Sequence, residues 1–150
     1  MSDYLEATYD KFTFRVRTGL RYSRDDLWAR WDDGRVTVGL TDFLQRRSGD
    51  LASVELPAPG DAVVAGELCC TLDTIKAAVD LVSPLSGQVV AVNADLEARP
   101  ELINEDPYGR GWLFQIEPGD PRAFEELLDA EAYFDWMVSR LEEEAGKLGH

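Results

Sequence analysis

The sequence is poor in the side chains that most catalytic sites and metal centres use. Its only histidine is the last residue, His150, and its two cysteines, Cys69 and Cys70, are adjacent. This composition argues against a histidine general base, a Ser-His-Asp triad and a histidine-ligated metal. Neighbouring side chains on a strand point to opposite faces, so the cysteine pair predicts neither a zinc site nor an ordinary disulfide. We expect no metal and no catalytic residue, and two small apolar thiols in a reduced protein.

Long apolar runs and positive charge are also scarce. No segment approaches the about 20 apolar residues that a membrane-spanning helix needs, and the acidic N-terminus does not resemble a signal peptide. The 15 basic residues face 29 acidic ones, which gives a net charge of −14. Such a surface repels nucleic acid and anionic lipid but suits docking onto basic proteins, unless the acidity only maintains solubility. We expect a cytoplasmic protein that binds neither nucleic acid nor membranes.

Lysine is the scarcest charged residue. The chain has twelve arginines but only three lysines, and of these only Lys76 lies in the body of the chain, away from Lys11 and Lys147. The segment from Asp73 to Asp80 is predicted as a hairpin tip that carries Lys76. A Schiff-base or general-base lysine needs surroundings that favour the neutral amine, and the flanking carboxylates favour the ammonium instead. An ordinary surface lysine and an acylated attachment point remain as the two interpretations.

The 150 residues fit one domain, residues 1–150, whose body is a set of short strands separated by Pro/Gly turns. Alternation predicts a strand over Phe12–Arg17, and Asp33-Gly34 predicts a hairpin turn. Thr41 is expected to cap a short helix that ends at Ser48-Gly49. Further strands are predicted over Leu27–Trp31, Arg35–Leu40, Leu51–Leu56, Leu68–Asp73, Val79–Val82 and Gln88–Asn93. The fold class is therefore mainly β, a flattened antiparallel barrel sandwich.

Residues 120–146 are predicted to be helical. Asp120-Pro121 is a helix start signal, Asp129 can cap a second helix, and Gly146 is expected to end it. The apolar stripe of this second helix is expected to pack on the sandwich. It consists of Tyr133, Trp136, Met137 and Leu141, with Arg140 at the same spacing.

Several collinear motifs resemble the lipoyl-bearing H-protein family of the glycine cleavage system, from about Tyr22 to about Tyr133. The segment from Leu72 to Ala78 resembles the family's lipoylation site, Val-Glu-Ser-Val-Lys-Ala-Ala. Residues 38–45 resemble its Val-Gly-Ile-Thr-Asp-Tyr-Ala-Gln segment. The other matching motifs are Gly49-Asp50, Val54-Glu55-Leu56-Pro57, Pro84-Leu85-Ser86-Gly87, Val92-Asn93, Asn104-Glu105-Asp106-Pro107-Tyr108-Gly109, Gly111-Trp112-Leu113 and residues 127–133.

The resemblance implies a lipoyl/biotinyl-type fold and a carrier protein, not an enzyme, with lipoate in amide linkage on Lys76. Asp73, Thr74, Ile75, Ala77 and Asp80 form the context of that lipoylation site. The implied partners are lipoate ligase or other lipoyl-attachment enzymes and a dihydrolipoamide dehydrogenase-type flavoenzyme. The enzymes that act on the cargo are implied to be either glycine decarboxylase and aminomethyltransferase or a heterodisulfide-reductase-like complex.

Two departures from the family bear on the cargo. The family's Ser-His-Glu-Trp is Asp25-Asp26-Leu27-Trp28 here, and Leu27 cannot hold a cationic amine as a glutamate does. Residues 1–20 form an extension with little counterpart in the family. These departures favour a sulfur-carrying, H-like lipoate-binding protein of sulfur oxidation slightly over an aminomethyl carrier of glycine cleavage. An unlipoylated acidic binding module, or a relay of lipoate, is the third hypothesis.

Overall fold

The computed structural model describes residues 3–148, with the side chains of residues 3–145. It is mainly β, with antiparallel sheets and C-terminal helices, which confirms the predicted fold class. The strands are β1 (Tyr4–Tyr9), β2 (Phe12–Arg17), β3 (Arg21–Tyr22), β4 (Leu27–Asp32), β5 (Arg35–Leu40), β6 (Leu51–Glu55), β7 (Ala62–Val63), β8 (Leu68–Thr74), β9 (Ala78–Val82), β10 (Gly87–Val92) and β11 (Phe114–Pro118). The helices are α1 (Asp42–Ser48), α2 (Asp95–Ala98), α3 (Leu102–Glu105), α4 (Arg122–Glu126) and α5 (Ala130–Leu148). Within residues 3–148, no helix combines the length and the apolar composition that crossing a membrane requires.

Two of the three sheets form the body of the molecule. The six-stranded sheet has the order β3-β4-β5-β11-β10-β7, and the three-stranded sheet has the order β6-β8-β9. Val38 and Ile116 of the first sheet and Leu72 and Leu81 of the second belong to one buried core. Because side chains alternate along each strand, the opposite faces remain available to solvent and to the helices. The hairpin formed by β8 and β9 has its turn at Ile75 and Lys76.

Local turn chemistry determines where several elements end. Asp33 and Gly34 have φ angles of 52° and 86° between β4 and β5, as an Asp-Gly hairpin turn requires. The Thr41 side chain accepts a hydrogen bond from Leu44 N at 3.2 Å, and α1 ends at Gly49, whose φ is 83°. The predicted hairpin and the predicted short helix are both confirmed.

The N-terminal segment forms a two-stranded sheet of its own. The strand predicted over Phe12–Arg17 is β2, and it pairs along its whole length with β1, which the sequence analysis did not identify. Val16 is completely buried in a second hydrophobic cluster that also contains Phe43 of α1 and Tyr133 and Met137 of α5. The hairpin of β1 and β2 therefore packs against both α1 and α5. The division into an extension of residues 1–20 and one carrier domain stays a prediction.

The C-terminal helices follow the predicted signals with two differences. Asp129 Oδ1 accepts a hydrogen bond from Ala132 N at 2.8 Å, so the predicted cap of α5 is confirmed. The helix after Asp120 begins at Arg122, one residue beyond Pro121. The prediction that Gly146 ends α5 is wrong, because the helix continues to Leu148. A glycine inside a helix lowers the stability of that helix by only about 1 kcal/mol relative to alanine. A glycine therefore ends a helix only where the chain also turns.

Candidate functional site

The turn that carries Lys76 is closed by hydrogen bonds on both sides of the loop. Thr74 N donates to Ala77 O at 2.8 Å, and the Thr74 hydroxyl donates to the same carbonyl at 2.9 Å. Ala77 N donates back to the Thr74 hydroxyl at 3.1 Å. Ile75 and Lys76 lie exposed at the tip between these hydrogen bonds, and Ile75 is 81% exposed. The turn is therefore a rigid support that presents Lys76 to solvent.

Lys76 lies across the C-terminal end of α1. Its Nζ donates to Arg47 O at 3.0 Å. A Cβ added at Gly49 would lie 3.5 Å from Lys76 Cε, so the glycine allows the lysine stem to approach the backbone closely. The flanking carboxylates have other partners, since Asp73 accepts a hydrogen bond from Ser53 and Asp80 accepts one from Thr71. The sequence places both aspartates beside the lysine, but the structure gives Lys76 a carbonyl as its hydrogen-bond acceptor.

A first groove, here called the N-terminal groove, borders the lysine on one side of α1. Its volume is about 460 Å³. It is lined by Phe12, Phe14, Gln45, Arg46, Arg47, Gly49, Asp50 and Asn104. Asn104 fixes its floor, because its Nδ2 donates to Gly49 O at 3.0 Å and its Oδ1 accepts from Leu51 N at 3.0 Å. The groove is thus built from β2, the end of α1 and α3.

A second groove, here called the acidic groove, lies on the other side of the lysine hairpin. Its volume is about 380 Å³. Residues of the β3–β4 loop, α1, β9 and α5 line it: Arg24, Asp25, Asp26, Leu44, Val79, Asp80, Leu81, Val82, Trp136 and Arg140. Leu44 lines this groove, whereas Gln45, Arg46 and Arg47 line the other. Helix α1 therefore separates the two grooves, and Lys76 lies over its end.

A buried ion pair fixes one wall of the acidic groove. Asp26, which is 5% exposed, accepts hydrogen bonds from Arg140 Nη1 at 2.8 and 3.0 Å and from the Tyr133 hydroxyl at 2.7 Å. Burial and the neighbouring Asp26 carboxylate raise the pKa of Tyr133 well above its usual value. Burial alone would lower the pKa of Arg140, but the hydrogen bonds and the charge of Asp26 raise it. The Asp26 charge is therefore compensated inside the protein.

Two other carboxylates of the acidic groove have no such compensation. Asp25 is exposed, and among the described residues neither Asp25 nor Asp80 forms an ion pair. Asp25 and Asp26 both precede β4, in a turn in which Asp26 has a φ of 70°. A turn allows both residues to border the groove without a shift in strand register. Leu27, the first residue of β4, is completely buried in the core.

Trp136 lines the acidic groove, and its indole nitrogen is an unused hydrogen-bond donor beneath the surface. Among the described side chains, its Nε1 is buried and lacks a hydrogen-bond partner. A buried unpaired donor is costly to leave unsatisfied, and this one has no contact with solvent. Trp136 and Arg140 belong to the stripe that is predicted to pack on the sandwich, and helical spacing alone cannot distinguish them from Tyr133 and Met137, which are completely buried.

The two cysteines lie at the other end of the lysine hairpin. The β8–β9 pairing shifts by one residue between Leu68 and Cys70, and this bulge brings the sulfur atoms of Cys69 and Cys70 to 3.9 Å. The expectation that the two side chains point to opposite faces is wrong, because the bulge interrupts the alternation. The hydrogen bond with Cys70 lowers the pKa of Cys69, and the same bond together with burial raises the pKa of Cys70.

Comparison with known proteins agrees with the fold and the motifs. A family model described as glycine cleavage H-protein matches residues 20–140. The chain belongs to the glycine cleavage H-protein family. It is 49% identical over 129 residues to a probable glycine cleavage system H protein of Aeropyrum pernix, covering 86% of this chain and 90% of that protein. It is 48% identical over 121 residues to the glycine cleavage system H protein of Shewanella denitrificans, covering 80% of this chain and 94% of that protein.

A solved structure gives the same result at the level of the fold. The crystal structure of a glycine cleavage system H protein from Mycobacterium marinum superposes with a TM-score of 0.71 at 35% sequence identity. The match covers 90% of this chain and all of that one. Proteins of the H-protein family carry lipoate covalently on a lysine and are carriers, not enzymes. The predicted family, the predicted cofactor and the prediction that the protein is not an enzyme are thereby confirmed.

The residues around the Lys76 hairpin fit a lipoyl group. The hairpin offers an exposed amine on a rigid turn, and the adjoining acidic groove contains two carboxylates that form no ion pair among the described residues. These polar groups suit an arm that carries a polar or cationic end.

Proposed function

We propose that this chain is lipoylated on Lys76 and carries the aminomethyl group of glycine cleavage from one partner enzyme to the next. The observation that supports the attachment site is the position of Lys76 on a closed turn between two grooves. Asp73, Thr74, Ile75, Ala77 and Asp80 are the surroundings that an attachment enzyme would recognise. Thr74 holds the turn, and Ile75 offers an exposed apolar contact.

Acylation changes the charge at Nζ but keeps a hydrogen-bond donor. The ammonium becomes an amide, so the net charge goes from −14 to −15 while one N–H remains. That N–H can still donate to Arg47 O, which holds the base of the arm against the end of α1. A bound lipoyl group supplies a dithiol that carries the aminomethyl group and can return to a disulfide by thiol–disulfide exchange.

The acidic groove supports a cationic cargo. Asp25 and Asp80 border it without a paired cation among the described residues, whereas the charge of Asp26 is used by Arg140. An aminomethyl group attached to sulfur is protonated at neutral pH, and two carboxylates favour it by charge attraction and hydrogen bonds. We propose that Asp25 and Asp80 do the work that Leu27, buried in the core, cannot do.

The proposed partners follow from the cargo. They are glycine decarboxylase, which would load the arm, aminomethyltransferase, which would unload it, and a dihydrolipoamide dehydrogenase-type flavoenzyme, which would reoxidise it. Lipoate ligase or another lipoyl-attachment enzyme would modify Lys76. The acidic surface favours docking onto basic patches of these enzymes, with rates that fall as salt increases. The cytoplasm is the proposed site of action.

The sulfur-carrying alternative is not supported by the comparisons. The matching family model and the relatives named above all bear glycine cleavage names. Leu27 is the feature that favours a sulfur cargo, and the uncompensated aspartates of the acidic groove weaken that argument. A heterodisulfide-reductase-like complex is therefore retained only as an outcome of the cargo experiment.

The attachment site is tested by intact-mass analysis after expression with lipoate and a lipoate ligase. We expect a single lipoyl adduct on the wild type and on Lys11→Arg, an exposed lysine outside the hairpin, and none on Lys76→Arg. An adduct on Lys76→Arg would contradict attachment at Lys76. An unmodified wild type would favour the hypothesis of an acidic binding or relay module.

The cargo is tested with the lipoylated protein, glycine decarboxylase and aminomethyltransferase. We expect turnover of glycine that requires all three proteins and disappears with Lys76→Arg. Lipoylated protein that gives no turnover would contradict the aminomethyl cargo and bring back the sulfur alternative.

A further inference from the structure

The N-terminal groove contains features that the family resemblance does not account for. Its wall includes Phe12 and Phe14 of β2, and the hairpin of β1 and β2 lies outside the residues 20–140 that the family model matches. Phe12 is 53% exposed, which is unusual for a large aromatic side chain beside a modification site. We propose that this groove is a resting site for the oxidised lipoyl arm on Lys76. The inference rests on the proposed attachment of lipoate to that lysine.

The lysine already begins at the edge of this groove. Lys76 Nζ donates to Arg47 O, and Lys76 Cε lies 3.5 Å from the position of a Cβ on Gly49. Arg47 and Gly49 both line the N-terminal groove. An arm held by its amide N–H to Arg47 O therefore starts next to the groove, and the covalent link gives it a high effective concentration there.

The lining of the groove suits an uncharged, sulfur-containing group. Phe12 offers an exposed aromatic ring beside the largely buried Phe14, and sulfur makes favourable contacts with aromatic rings. The guanidinium groups of Arg46 and Arg47 pair with Asp42 and Glu144, so their methylene stems add to the apolar lining. The oxidised arm is a neutral dithiolane on an aliphatic chain, and it loses water-exposed apolar surface in such a groove.

The two grooves differ in the charge that they favour. Each groove is lined by two arginines, but the acidic groove has three carboxylates, Asp25, Asp26 and Asp80, whereas the N-terminal groove has only Asp50. A protonated aminomethyl arm is attracted to the first, and a neutral dithiolane gains most from the aromatic side chains of the second. Helix α1 lies between them, so the arm can change groove while its base stays over the end of the helix.

The β1–β2 hairpin holds its aromatic wall firmly. Arg15 N donates to Asp42 Oδ2 at 3.0 Å, and the Tyr108 hydroxyl donates to Arg15 O at 2.6 Å. Phe14 is 8% exposed, and its ring meets the ring of Phe43 edge-on with centroids 5.7 Å apart. The groove is therefore present before any arm binds, which reduces the entropic cost of binding.

The test measures how fast a small water-soluble phosphine reduces the lipoyl disulfide of the full-length, lipoylated protein. Intact mass first establishes the adduct, and its absence would count against attachment at Lys76 and not against the groove. We expect Phe12→Ala to speed reduction by about fivefold, because the arm then spends more time in solvent. The matched control is Leu68→Ala, which removes an exposed apolar side chain at the far end of β8 and should leave the rate unchanged.

Amide chemical shifts of the wild type provide an independent measurement that needs no variant. Lipoylation in the oxidised state should shift the amide signals of Phe12, Phe14, Asp50 and Asn104. Equal reduction rates for the wild type and Phe12→Ala, or shifts confined to Asp25, Val79 and Asp80, would overturn the proposal.

Discussion

A single hydroxyl at the tip of the β8–β9 hairpin makes both of the side-chain hydrogen bonds that close the turn. Thr74 donates to Ala77 O and accepts from Ala77 N, so Thr74→Val keeps the shape of the side chain and loses both bonds. We expect Thr74→Val to lower the free energy of unfolding by about 1–2 kcal/mol. The initial rate of lipoylation should also fall several-fold, because Lys76 is then presented on a mobile tip.

Urea unfolding and a lipoylation time course measure the two effects of Thr74→Val. Thr71→Val on the same strand is the control, since it removes one exposed hydrogen bond to Asp80 away from the tip. A lipoylation rate equal to that of the wild type would show that the attachment enzyme does not depend on the rigidity of the turn.

The adjacent cysteines are expected to differ in reactivity. Cys69 is half-buried with a lowered pKa, whereas Cys70 is 4% exposed with a raised pKa. The thiolate is the reactive form, so its fraction at a given pH is larger for Cys69. A brief treatment of the native protein with iodoacetamide should therefore alkylate Cys69 alone.

Peptide mapping of the alkylated protein identifies the modified residue, and Cys69→Ser is the matched control that should leave the protein unmodified. Equal labelling of Cys70 under native conditions would contradict the geometry of the bulge.

At the scale of elements, the ion pair between Arg140 and Asp26 connects α5 to the loop before β4. Arg140 is 29% exposed and Asp26 is 7% exposed at the side chain, so removal of the arginine leaves a nearly buried carboxylate without its cation. We expect Arg140→Met to lower the free energy of unfolding by about 3 kcal/mol, the lower end of the effect of breaking a buried pair. Arg99, between α2 and α3, forms two exposed ion pairs, and Arg99→Met should cost no more than about 1 kcal/mol.

Denaturant unfolding of the two variants provides the comparison. Loss of the same free energy in both would mean that the Asp26–Arg140 pair is no stronger than a surface pair.

The elements that were predictable from the sequence are those whose signals are local. The Asp33-Gly34 turn, the Thr41 cap and the strand Phe12–Arg17 depend on neighbouring residues, and the structure has them at those positions. Strand β1 was not predicted, although Leu5, Ala7 and Tyr9 alternate with two polar residues, and in the structure it pairs with β2 along its whole length.

Of the candidate site, only Lys76 and the turn that carries it could be predicted from the sequence. Both grooves are built from elements distant in the chain, and the Asp26–Arg140 pair joins residues 114 apart. No residue spacing in the sequence predicts that β2 or α5 lies near Lys76. The bulge at Cys69 could not be predicted from the sequence either, because it arises from the pairing of β8 with β9.

At the scale of the whole molecule, three buried tyrosines make stability sensitive to alkaline pH. Burial is the main cause that raises the pKa of Tyr22, Tyr108 and Tyr133 above the usual value of 10.0. Folded protein keeps these protons while unfolded chains release them, so the stabilisation is complete below pH 10 and is lost as the pH rises above it. The expected slope is about 1.4 kcal/mol per pH unit for each tyrosine.

Urea unfolding at pH values on both sides of 10 measures this slope. Tyr22→Phe removes one of the three buried tyrosine hydroxyls, so its slope should be smaller by about 1.4 kcal/mol per pH unit. A free energy of unfolding that stays constant above pH 10 would contradict the burial of these hydroxyls.

The contact between the two ends of the chain constrains the order in which the protein can fold. The Tyr9 hydroxyl donates to Glu142 across 133 residues, and the second hydrophobic cluster combines β2 with α5. During synthesis on the ribosome, the two sheets that hold the Lys76 hairpin can pair before α5 emerges, but the N-terminal hairpin cannot complete its packing until the last helix has been made. A nascent chain should therefore present a folded Lys76 turn earlier than a finished N-terminal groove.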